Sequence, residues 1–376
     1  MKKATTASRR TLRYLPRRTD LAPLRFAVNA VKENWLRDGA PPPPRAMCFY
    51  VTYACNMRCR ICGIWRSQPP GPDLTPEETV RALADPLFSR LEFVNLNGGE
   101  PNLRADLVEI AAVVVGRLPR LETLTVNTNG LPEPRMLENA VRIARLCRGR
   151  GVHFAVSVSL HAPDGRFDEI AGVPGSFDRV SRSIAGLRAL RDKEAFFLSV
   201  NCVISRMNLD HLPAMVAWSR RESVPVHFTL GEVRDRFHNE SLAANVRLGP
   251  EETRRLVIFL EGQARNSGPL DHHAFRYHQL AGLVGRGERR RTSCHYALGG
   301  LILGQEGSLY YCKSSRAIGN CRERSAAAIY YDPRNLAYRR EELFAKACAG
   351  CPPNTFNRIE LEKDLPRYLR YLVTRR

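Results

Sequence analysis

Three cysteines, Cys55, Cys59 and Cys62, lie within eight residues directly after an apolar, strand-like segment. Their spacing is Cys-x3-Cys-x2-Cys. Three thiolates on one loop can each bind one iron of a cubane iron–sulfur cluster and leave the fourth iron open. An open iron lets a cluster bind a reactant as well as move electrons. The alternative is a zinc half-site, although structural zinc normally takes four closed ligands.

Glycines and polar residues follow the next three apolar segments. The first of these stretches is Leu96-Asn97-Gly98-Gly99-Glu100-Pro101, the second is Asn127-Thr128-Asn129-Gly130, and the third is Ser157-Val158-Ser159-Leu160-His161. Glycines allow the backbone to approach a ligand closely, and a glutamate supplies an anion for an ammonium group. Each stretch alone is typical of a turn. Their common position at strand ends predicts a small-molecule site.

Six apolar, β-branched runs separated by helical segments must position these residues. The predicted strands are Met47–Thr52, Leu91–Asn97, Leu121–Asn127, Val152–Leu160, Phe196–Ile204 and Val224–Leu230. A capping box at Thr75-Pro76-Glu77-Glu78 predicts a helix start. Amphipathic helices are predicted at Leu103–Val115, Arg135–Arg148, Ser176–Leu190 and Leu209–Ser219. Continuous apolar strands alternating with helices indicate a parallel sheet, so we predict an α/β fold with a partial (βα)6 TIM-type barrel.

At these motifs the chain resembles the radical S-adenosylmethionine (SAM) superfamily, over roughly residues 46–240. The resemblance implies that Cys55, Cys59 and Cys62 hold a [4Fe–4S] cluster whose open iron binds SAM. It also implies that Gly98, Gly99 and Glu100 receive the methionyl ammonium, and that Ser159 and the segment Asn127, Thr128 and Asn129 line the carboxylate and ribose. Ile61 stands where many relatives have an aromatic residue near adenine. His161-Ala162 replaces the commoner Asp-Gly.

A second group of cysteines occurs in the last ~85 residues: Cys294, Cys312, Cys348 and Cys351. The segments Leu301–Leu303 and Ser308–Cys312 flank Gln305-Glu306-Gly307, a pattern typical of a hairpin. The module resembles the twitch, the shortened form of the SPASM domain, which implies a second, fully ligated [4Fe–4S] cluster. A zinc site held by the same thiolates is the alternative. Cys321 could replace one of these ligands or donate a hydrogen atom, but we interpret it as an inert buried thiol. Cys48, Cys147 and Cys202 are interpreted as core residues.

These observations divide the chain into four predicted parts. They are a basic N-terminal extension with an amphipathic helix (1–45), a radical SAM core (46–240), a helical linker (241–290) and a cysteine-rich α+β twitch/SPASM-like domain (291–376).

The charge is concentrated at both ends. The net charge of +20 divides into +8, +2 and +10 over residues 1–45, 46–240 and 241–376. Basic ends fit a flavodoxin or ferredoxin-type reductant, an anionic substrate, anionic lipid, RNA or only a solvated surface. Leu24–Leu36 and Leu365–Arg376 are amphipathic, and either contact a membrane surface or pack onto the barrel. The absence of an apolar segment behind MKKATTASRR predicts a cytoplasmic protein, with peripheral membrane contact left open.

The functional prediction is a radical SAM oxidoreductase or maturase. It would cleave SAM reductively to a 5′-deoxyadenosyl radical, abstract hydrogen from an unactivated C–H bond, and oxidise a natural-product, sugar, peptide or lipid substrate. The alternative enzyme is a radical SAM RNA methyltransferase, favoured by the net charge but leaving the second cysteine group unexplained. The alternative outside catalysis is an iron–sulfur electron carrier or zinc scaffold. His272, His273 and Glu232 are candidate bases.

Overall fold

Six parallel strands form the centre of the protein in a computed structural model, which describes residues 26–31, 41–67, 71–268, 271–354 and 357–374. The strands are β1 (Ala46–Thr52), β2 (Phe93–Gly98), β3 (Thr123–Thr128), β4 (His153–Ser159), β5 (Phe197–Ile204) and β6 (Val226–Leu230). They pair in chain order with parallel registers, as in Phe93↔Thr123. The six strands predicted from apolar runs are confirmed to within about two residues at each end, and together they form a partial barrel.

Helices alternate with these strands and continue beyond them. They are α1 (Pro76–Leu83), α2 (Leu107–Arg117), α3 (Glu133–Gly149), α4 (Arg166–Ala171), α5 (Ser176–Glu194), α6 (Leu212–Glu222), α7 (Ala243–Val246), α8 (Pro250–Asn266), α9 (His272–Arg286), α10 (Ala326–Tyr330), α11 (Pro333–Ala337), α12 (Ala345–Ala347) and α13 (Arg358–Thr374). A π-helical turn, Tyr338–Phe344, joins α11 to α12. Short 3-10 turns occupy Ile64–Arg66, Pro86–Arg90, Pro101–Leu103, Leu209–His211, Asp235–Phe237 and Glu240–Leu242. The predicted capping box at Thr75 is present.

The predicted hairpin also exists, and it extends the central sheet. Strands β7 (Gly300–Leu303) and β8 (Ser308–Tyr310) are antiparallel, and a short β9 (Gly319–Asn320) pairs with β8. Strand β7 pairs in parallel with β1, in the register Cys48↔Ile302. The sequence pattern did not predict this pairing. It places the cysteine-rich region directly beside the strand that leads to Cys55.

A buried ionic network closes the amino ends of the first three strands. Arg45 precedes β1 and donates to Glu92, which precedes β2, and to Glu362 of α13. Arg358 of α13 donates to Glu92 and to Glu122, which precedes β3. Glu92 and Glu122 lie at the ends of neighbouring strands, and two guanidinium groups pair with these two carboxylates and with that of Glu362. The C-terminal helix therefore caps the barrel at the end opposite the cysteine loop.

The free edge of β6 is covered by α9 and by the segment around Asn354. The backbone N–H of Phe228 donates to the hydroxyl of Tyr277 (3.2 Å), and that of Leu230 donates to Oδ1 of Asn354 (2.7 Å). The amide nitrogen of Asn354 donates back to the carbonyl of Leu230 (2.8 Å). These contacts satisfy backbone groups that an exposed edge strand would leave unpaired.

Both amphipathic ends are helical where the structure describes them. Residues 26–31 form a helical segment that contacts α13, since Asn29 donates to Glu362 (3.2 Å). Tyr368 and Tyr371 of α13 pack on Phe275 of α9. The basic residues before position 26 and Trp35 lie outside the described residues. Among the described helices, none has the length and apolar character that crossing a bilayer requires.

Candidate active site and second cysteine group

The loop that carries Cys55, Cys59 and Cys62 follows β1 and is held by backbone hydrogen bonds from two other regions. The N–H groups of Arg58 and Arg60 donate to the carbonyls of Ala171 and Ile170 at the end of α4 (2.9 and 2.8 Å). On the other side, Asn239 donates to the carbonyl of Ile61 (2.9 Å). The loop geometry is therefore set by elements more than 100 residues away.

The three thiols of this loop line one cavity of about 760 Å³ that occupies the barrel interior. Burial raises the pKa of all three thiols, that of Cys62 to about 11. A metal charge offsets such a penalty because it stabilises the thiolate form. Three thiols converging on one cavity are a donor set that fits an iron–sulfur cluster with one open iron.

Gly98 and Gly99 bring the end of β2 against the backbone after β1. A Cβ atom at Gly98 would lie 2.0 Å from the carbonyl oxygen of Thr52, and one at Gly99 would lie 2.2 Å from that of Ala54. Gly98 also has φ of 133°, which side-chain-bearing residues rarely adopt. Both glycines line the cavity. Only glycine fits here without displacing the cysteine loop.

The Glu100 side chain lies behind the cavity wall and is not among the residues that line it. Its Oε1 accepts from the side chains of Asn102 and Thr128 (both 2.8 Å) and from the backbone N–H of Asn102, and its Oε2 accepts from the backbone N–H of Asn129. Burial raises the pKa of Glu100 to about 7, although these donors oppose the rise. The carboxylate holds the end of β3 in place and thereby positions Thr128 and Asn129, which line the cavity.

The other predicted SAM contacts all line the same cavity. They are Ile61, Asn127, Thr128, Asn129 and Ser159. Asn129 links them to the cysteine loop, because its amide donates to the sulfur of Cys55 (3.7 Å) and to Oδ1 of Asn56 (2.7 Å). The structure thus brings seven of the eight predicted cofactor-binding side chains or glycines to one wall, with Glu100 behind it.

Cys48 lines the cavity, so the prediction that it is a core residue is wrong. It lies in β1, but its side chain faces the cavity, where Asn97 donates to its sulfur (3.8 Å). Both faces of a parallel barrel strand are covered, so an apolar run does not show which side points inward. Cys147 and Cys202 are fully buried in the core, as predicted.

The candidate bases differ in position. Glu232 and His273 line the cavity, whereas His272 does not. Lys313 and Arg234 both pair with Glu232 and hold its pKa below the usual range. Burial lowers the pKa of His273 well below the value of a free imidazole. Glu232 is therefore an ionised, paired carboxylate, and His273 is neutral at pH 7.

Cys294, Cys312, Cys348 and Cys351 line a second cavity of about 250 Å³. Cationic side chains lie beside them. Arg234 donates from Nη2 to the sulfur of Cys351 (3.6 Å), and Arg290 also lines this cavity. Burial raises the pKa of Cys294 to about 11. Four converging thiols with cationic neighbours are a donor set for a closed, negatively charged metal centre.

Two residues that no sequence motif singled out line both cavities. Tyr296 contributes to the wall of each, and Lys313 follows Cys312 and pairs with Glu232. Cys321 lines neither cavity, and burial raises the pKa of its thiol to about 12. The two cavities are therefore neighbours that share Tyr296 and Lys313 as lining residues. No local sequence pattern marks these residues.

Comparison with known proteins agrees with this geometry. Residues 49–218 match the model of the Radical SAM superfamily. Residues 49–218, which include the cysteine loop and the Gly98–Gly99 turn, are therefore similar to the radical SAM superfamily. The chain is 31% identical to "GTP 3′,8-cyclase" of Acidothermus cellulolyticus over 194 residues (49% of this chain, 50% of the relative). It is 27% identical to "PqqA peptide cyclase" of Rhizobium meliloti over 325 residues (82% and 80%).

Solved structures share the fold at low sequence identity. Streptococcus suis SuiB bound to S-adenosylmethionine has a TM-score of 0.56 at 14% identity, covering 85% of this chain and 72% of that one. The structure described as native anSMEcpe with bound AdoMet has a TM-score of 0.57 at 15% identity, covering 89% and 100%. The chain spans half or less of the length of the first curated relatives it matches.

Proposed function

We propose that the protein reductively cleaves SAM and uses the resulting 5′-deoxyadenosyl radical to abstract hydrogen from an unactivated C–H bond of its substrate. The single observation that carries this proposal is the convergence of Cys55, Cys59 and Cys62 with the Gly98–Gly99 turn and the ends of β3 and β4 on one barrel cavity. An electron carrier or a zinc scaffold would have no use for this polar wall.

Cys55, Cys59 and Cys62 would hold a [4Fe–4S] cluster with one open iron. When bound, that cluster supplies one electron to SAM, which gives methionine and the deoxyadenosyl radical. Forming the radical inside the barrel cavity would limit its contact with water. The backbone N–H groups of Arg58 and Arg60 hold the loop to α4 through hydrogen bonds that need no bound ligand.

Different residues around the cavity would contact different parts of SAM. The backbone groups of Gly98 and Gly99 would receive the ammonium, and Glu100 would stabilise this charge from behind the wall. Asn127, Thr128, Asn129 and Ser159 offer amide and hydroxyl groups to the ribose and carboxylate. Ile61 offers an apolar surface and a backbone to adenine.

The second cysteine group supports an oxidative net reaction. Cys294, Cys312, Cys348 and Cys351 would enclose a second [4Fe–4S] cluster, which would accept the electron left on the substrate after hydrogen abstraction. The proton lost from the substrate radical would pass to a group in the cavity. A flavodoxin or ferredoxin-type protein would supply the electron used for SAM cleavage, and its oxidised form would take the electron back from the reduced second cluster.

Among the predicted substrate classes, a peptide has the most support. The alignment with PqqA peptide cyclase extends over 325 residues, into the cysteine-rich region, whereas that with GTP 3′,8-cyclase covers 194 residues. We propose a peptide or a peptide-derived small molecule as the substrate.

Anaerobic reconstitution followed by addition of dithionite and SAM tests the proposal. The wild-type chain should release 5′-deoxyadenosine, and Cys59→Ala should not. Cys321→Ala is the matched control, because its thiol lines neither cavity and its loss should leave SAM cleavage unchanged. Release of 5′-deoxyadenosine by Cys59→Ala at the wild-type rate would exclude the proposed cluster site.

A further inference from the structure

Arg276 of α9 lines the large cavity with one edge of its guanidinium group unpaired. Its side chain is almost fully buried, at 1% relative exposure. Nη1 donates to the carbonyl of Asn354 (3.1 Å), while Nε and Nη2 have no hydrogen-bond partner among the described residues. Buried polar groups in native structures are normally hydrogen-bonded, so this edge is suited to a ligand.

The two free nitrogens form the edge that binds carboxylates in a bidentate manner. Arg45 of the same protein shows this use, because its Nε and Nη2 donate to the two carboxylate oxygens of Glu92 at 3.0 and 2.8 Å. Arg276 offers the same pair of donors and is one of the residues that line the cavity, and no described acidic side chain accepts from it. This pair of donors matches a planar oxyanion.

The charges that line the cavity leave Arg276 uncompensated. Glu232 and Lys313 are the other cavity-lining Asp, Glu, Lys or Arg side chains in the described part of the chain, and they pair with each other. No described carboxylate forms an ion pair with Arg276. The guanidinium group lies 4.5 Å from the centre of the Tyr277 ring, but no described anion neutralises its charge. An anionic ligand would offset the cost of burying this charge.

Two imidazoles extend the donor surface beside Arg276. His227 of β6 and His273 of α9 both line the cavity, with ring centroids 4.6 Å apart. Nδ1 of His273 is buried without a hydrogen-bond partner in the described residues. Burial and the charge of Arg276 lower the pKa of His227 to about 4, so the imidazoles remain neutral and contribute hydrogen bonds without further charge.

We propose that Arg276, with His273 beside it, binds a carboxylate group of the substrate. The inference rests on the proposed function, in which this cavity holds the substrate. One fixed positive charge and one bidentate edge match a carboxylate, whereas a phosphate dianion would require a second cation. The enzyme would therefore select substrates with a free carboxylate, such as a peptide terminus or an acidic side chain.

The position of Arg276 separates this site from the proposed SAM contacts. Those contacts lie on the loop after β1 and at the ends of β2, β3 and β4, whereas Arg276 lies beside His227 of β6. In the sheet, His227 pairs with Asn201, which pairs with Ser159, so two strand spacings separate His227 from Ser159. A substrate held by Arg276 could thus extend across the cavity toward the cysteine loop.

Thermal unfolding of the full, cluster-free chain tests the site with acetate as the probe. Sodium acetate should raise the unfolding midpoint in a saturable manner relative to sodium chloride at equal ionic strength, and neutral acetamide should not. Arg276→Gln should abolish the acetate response. Arg276→Lys, which keeps the buried charge, should weaken acetate binding by about tenfold or more because the bidentate edge is lost. Arg254→Gln, at an exposed site on α8, is the control and should respond like the wild type.

Each contrary result overturns the proposal. An equal acetate response in the wild type and Arg276→Lys would exclude the site, and this holds even if Arg276→Gln does not fold. An Arg276-dependent response that is stronger with inorganic phosphate than with acetate would exclude a carboxylate as the ligand. Acetate binding that disappears in cluster-loaded protein saturated with SAM would assign Arg276 to the carboxylate of SAM. The first measurements need neither iron nor SAM, so their failure is distinct from failure of the proposed function.

Discussion

The guanidinium group of Arg234 joins the two cavities by donating from Nη2 to the sulfur of Cys351 at 3.6 Å. The same side chain pairs with Glu232, which lines the barrel cavity. The loop after β6 therefore connects the proposed substrate site to the second cysteine group. A positive charge and an N–H donor at a cluster ligand both favour the reduced state, because reduction adds negative charge.

Replacing Arg234 should make the second cluster harder to reduce. We expect Arg234→Gln to lower its reduction potential by on the order of tens of millivolts, while Arg234→Lys, which keeps the charge, should have a smaller effect. A redox titration followed by electron paramagnetic resonance measures this. Arg254→Gln is the control. If Arg234→Gln has full iron content and an unchanged potential, Arg234 does not tune the second cluster.

The second cysteine group should be separable from SAM cleavage. Reconstituted wild-type protein should hold about eight irons, and Cys351→Ala about four, because one of two clusters loses a ligand. Cys351→Ala should still release 5′-deoxyadenosine with dithionite and SAM. Iron and zinc analysis of the purified protein distinguishes a second iron–sulfur cluster from a zinc site, since zinc bound by these cysteines in the wild type would refute the second cluster.

The approach of β2 to the cysteine loop should depend on glycine. Gly99→Ala places a Cβ atom 2.2 Å from the carbonyl oxygen of Ala54, so the loop must shift. We expect loss of most SAM cleavage, measured as 5′-deoxyadenosine release per cluster. Gly116→Ala in α2 is the matched control, because a Cβ there meets no atom within 4 Å. That change should leave activity intact and slightly increase stability. Equal activity of the two variants would show that the close approach is not required.

The network at the amino ends of the strands should contribute strongly to stability. Arg45→Met leaves Glu92 and Glu362 to share Arg358 in a buried site, which should cost about 3–5 kcal/mol. Arg142→Met removes an exposed pair with Glu138 and should cost less than about 0.5 kcal/mol. Chemical denaturation followed by circular dichroism measures the free energy of unfolding of both variants and of the wild type. Similar losses in both variants would indicate that the network does not hold α13 to the barrel.

Glu100 should make the stability of the ligand-free protein depend on pH. Its pKa of about 7 in the folded state exceeds the ordinary value of 4.5, so the folded state retains a proton that the unfolded state has lost. Stability should therefore fall as pH rises from 4.5 to 7, by on the order of 2–3 kcal/mol, and change little from this source above 7. Glu100→Gln lacks this titrating group, so the difference between its unfolding midpoint and that of the wild type should increase as the pH rises over this range. A constant difference between pH 5 and 8 would contradict the raised pKa.

The local features of the protein follow from its sequence. The Cys-x3-Cys-x2-Cys loop, the Gly-Gly-Glu-Pro segment and the alternation of strands and helices depend on covalent spacing and on hydrophobic periodicity, which a single segment carries without help from distant residues. For this reason, the residues next to Thr75 are enough to assign it as a helix cap, and those next to Gly98 are enough to assign it to a strand end.

Tertiary packing determines which side chains reach the cavities. Strands covered on both faces carry no alternation that shows which side points inward, so the sequence pattern assigned Cys48 to the core. Arg276 lies on helix α9, and only the packing of this helix brings it to the cavity. Glu100 turns away from the cavity because Asn102, Thr128 and Asn129 supply donors behind the wall. The meeting of Arg234 with Cys351 depends on packing between segments 117 residues apart, and no local pattern encodes such a contact.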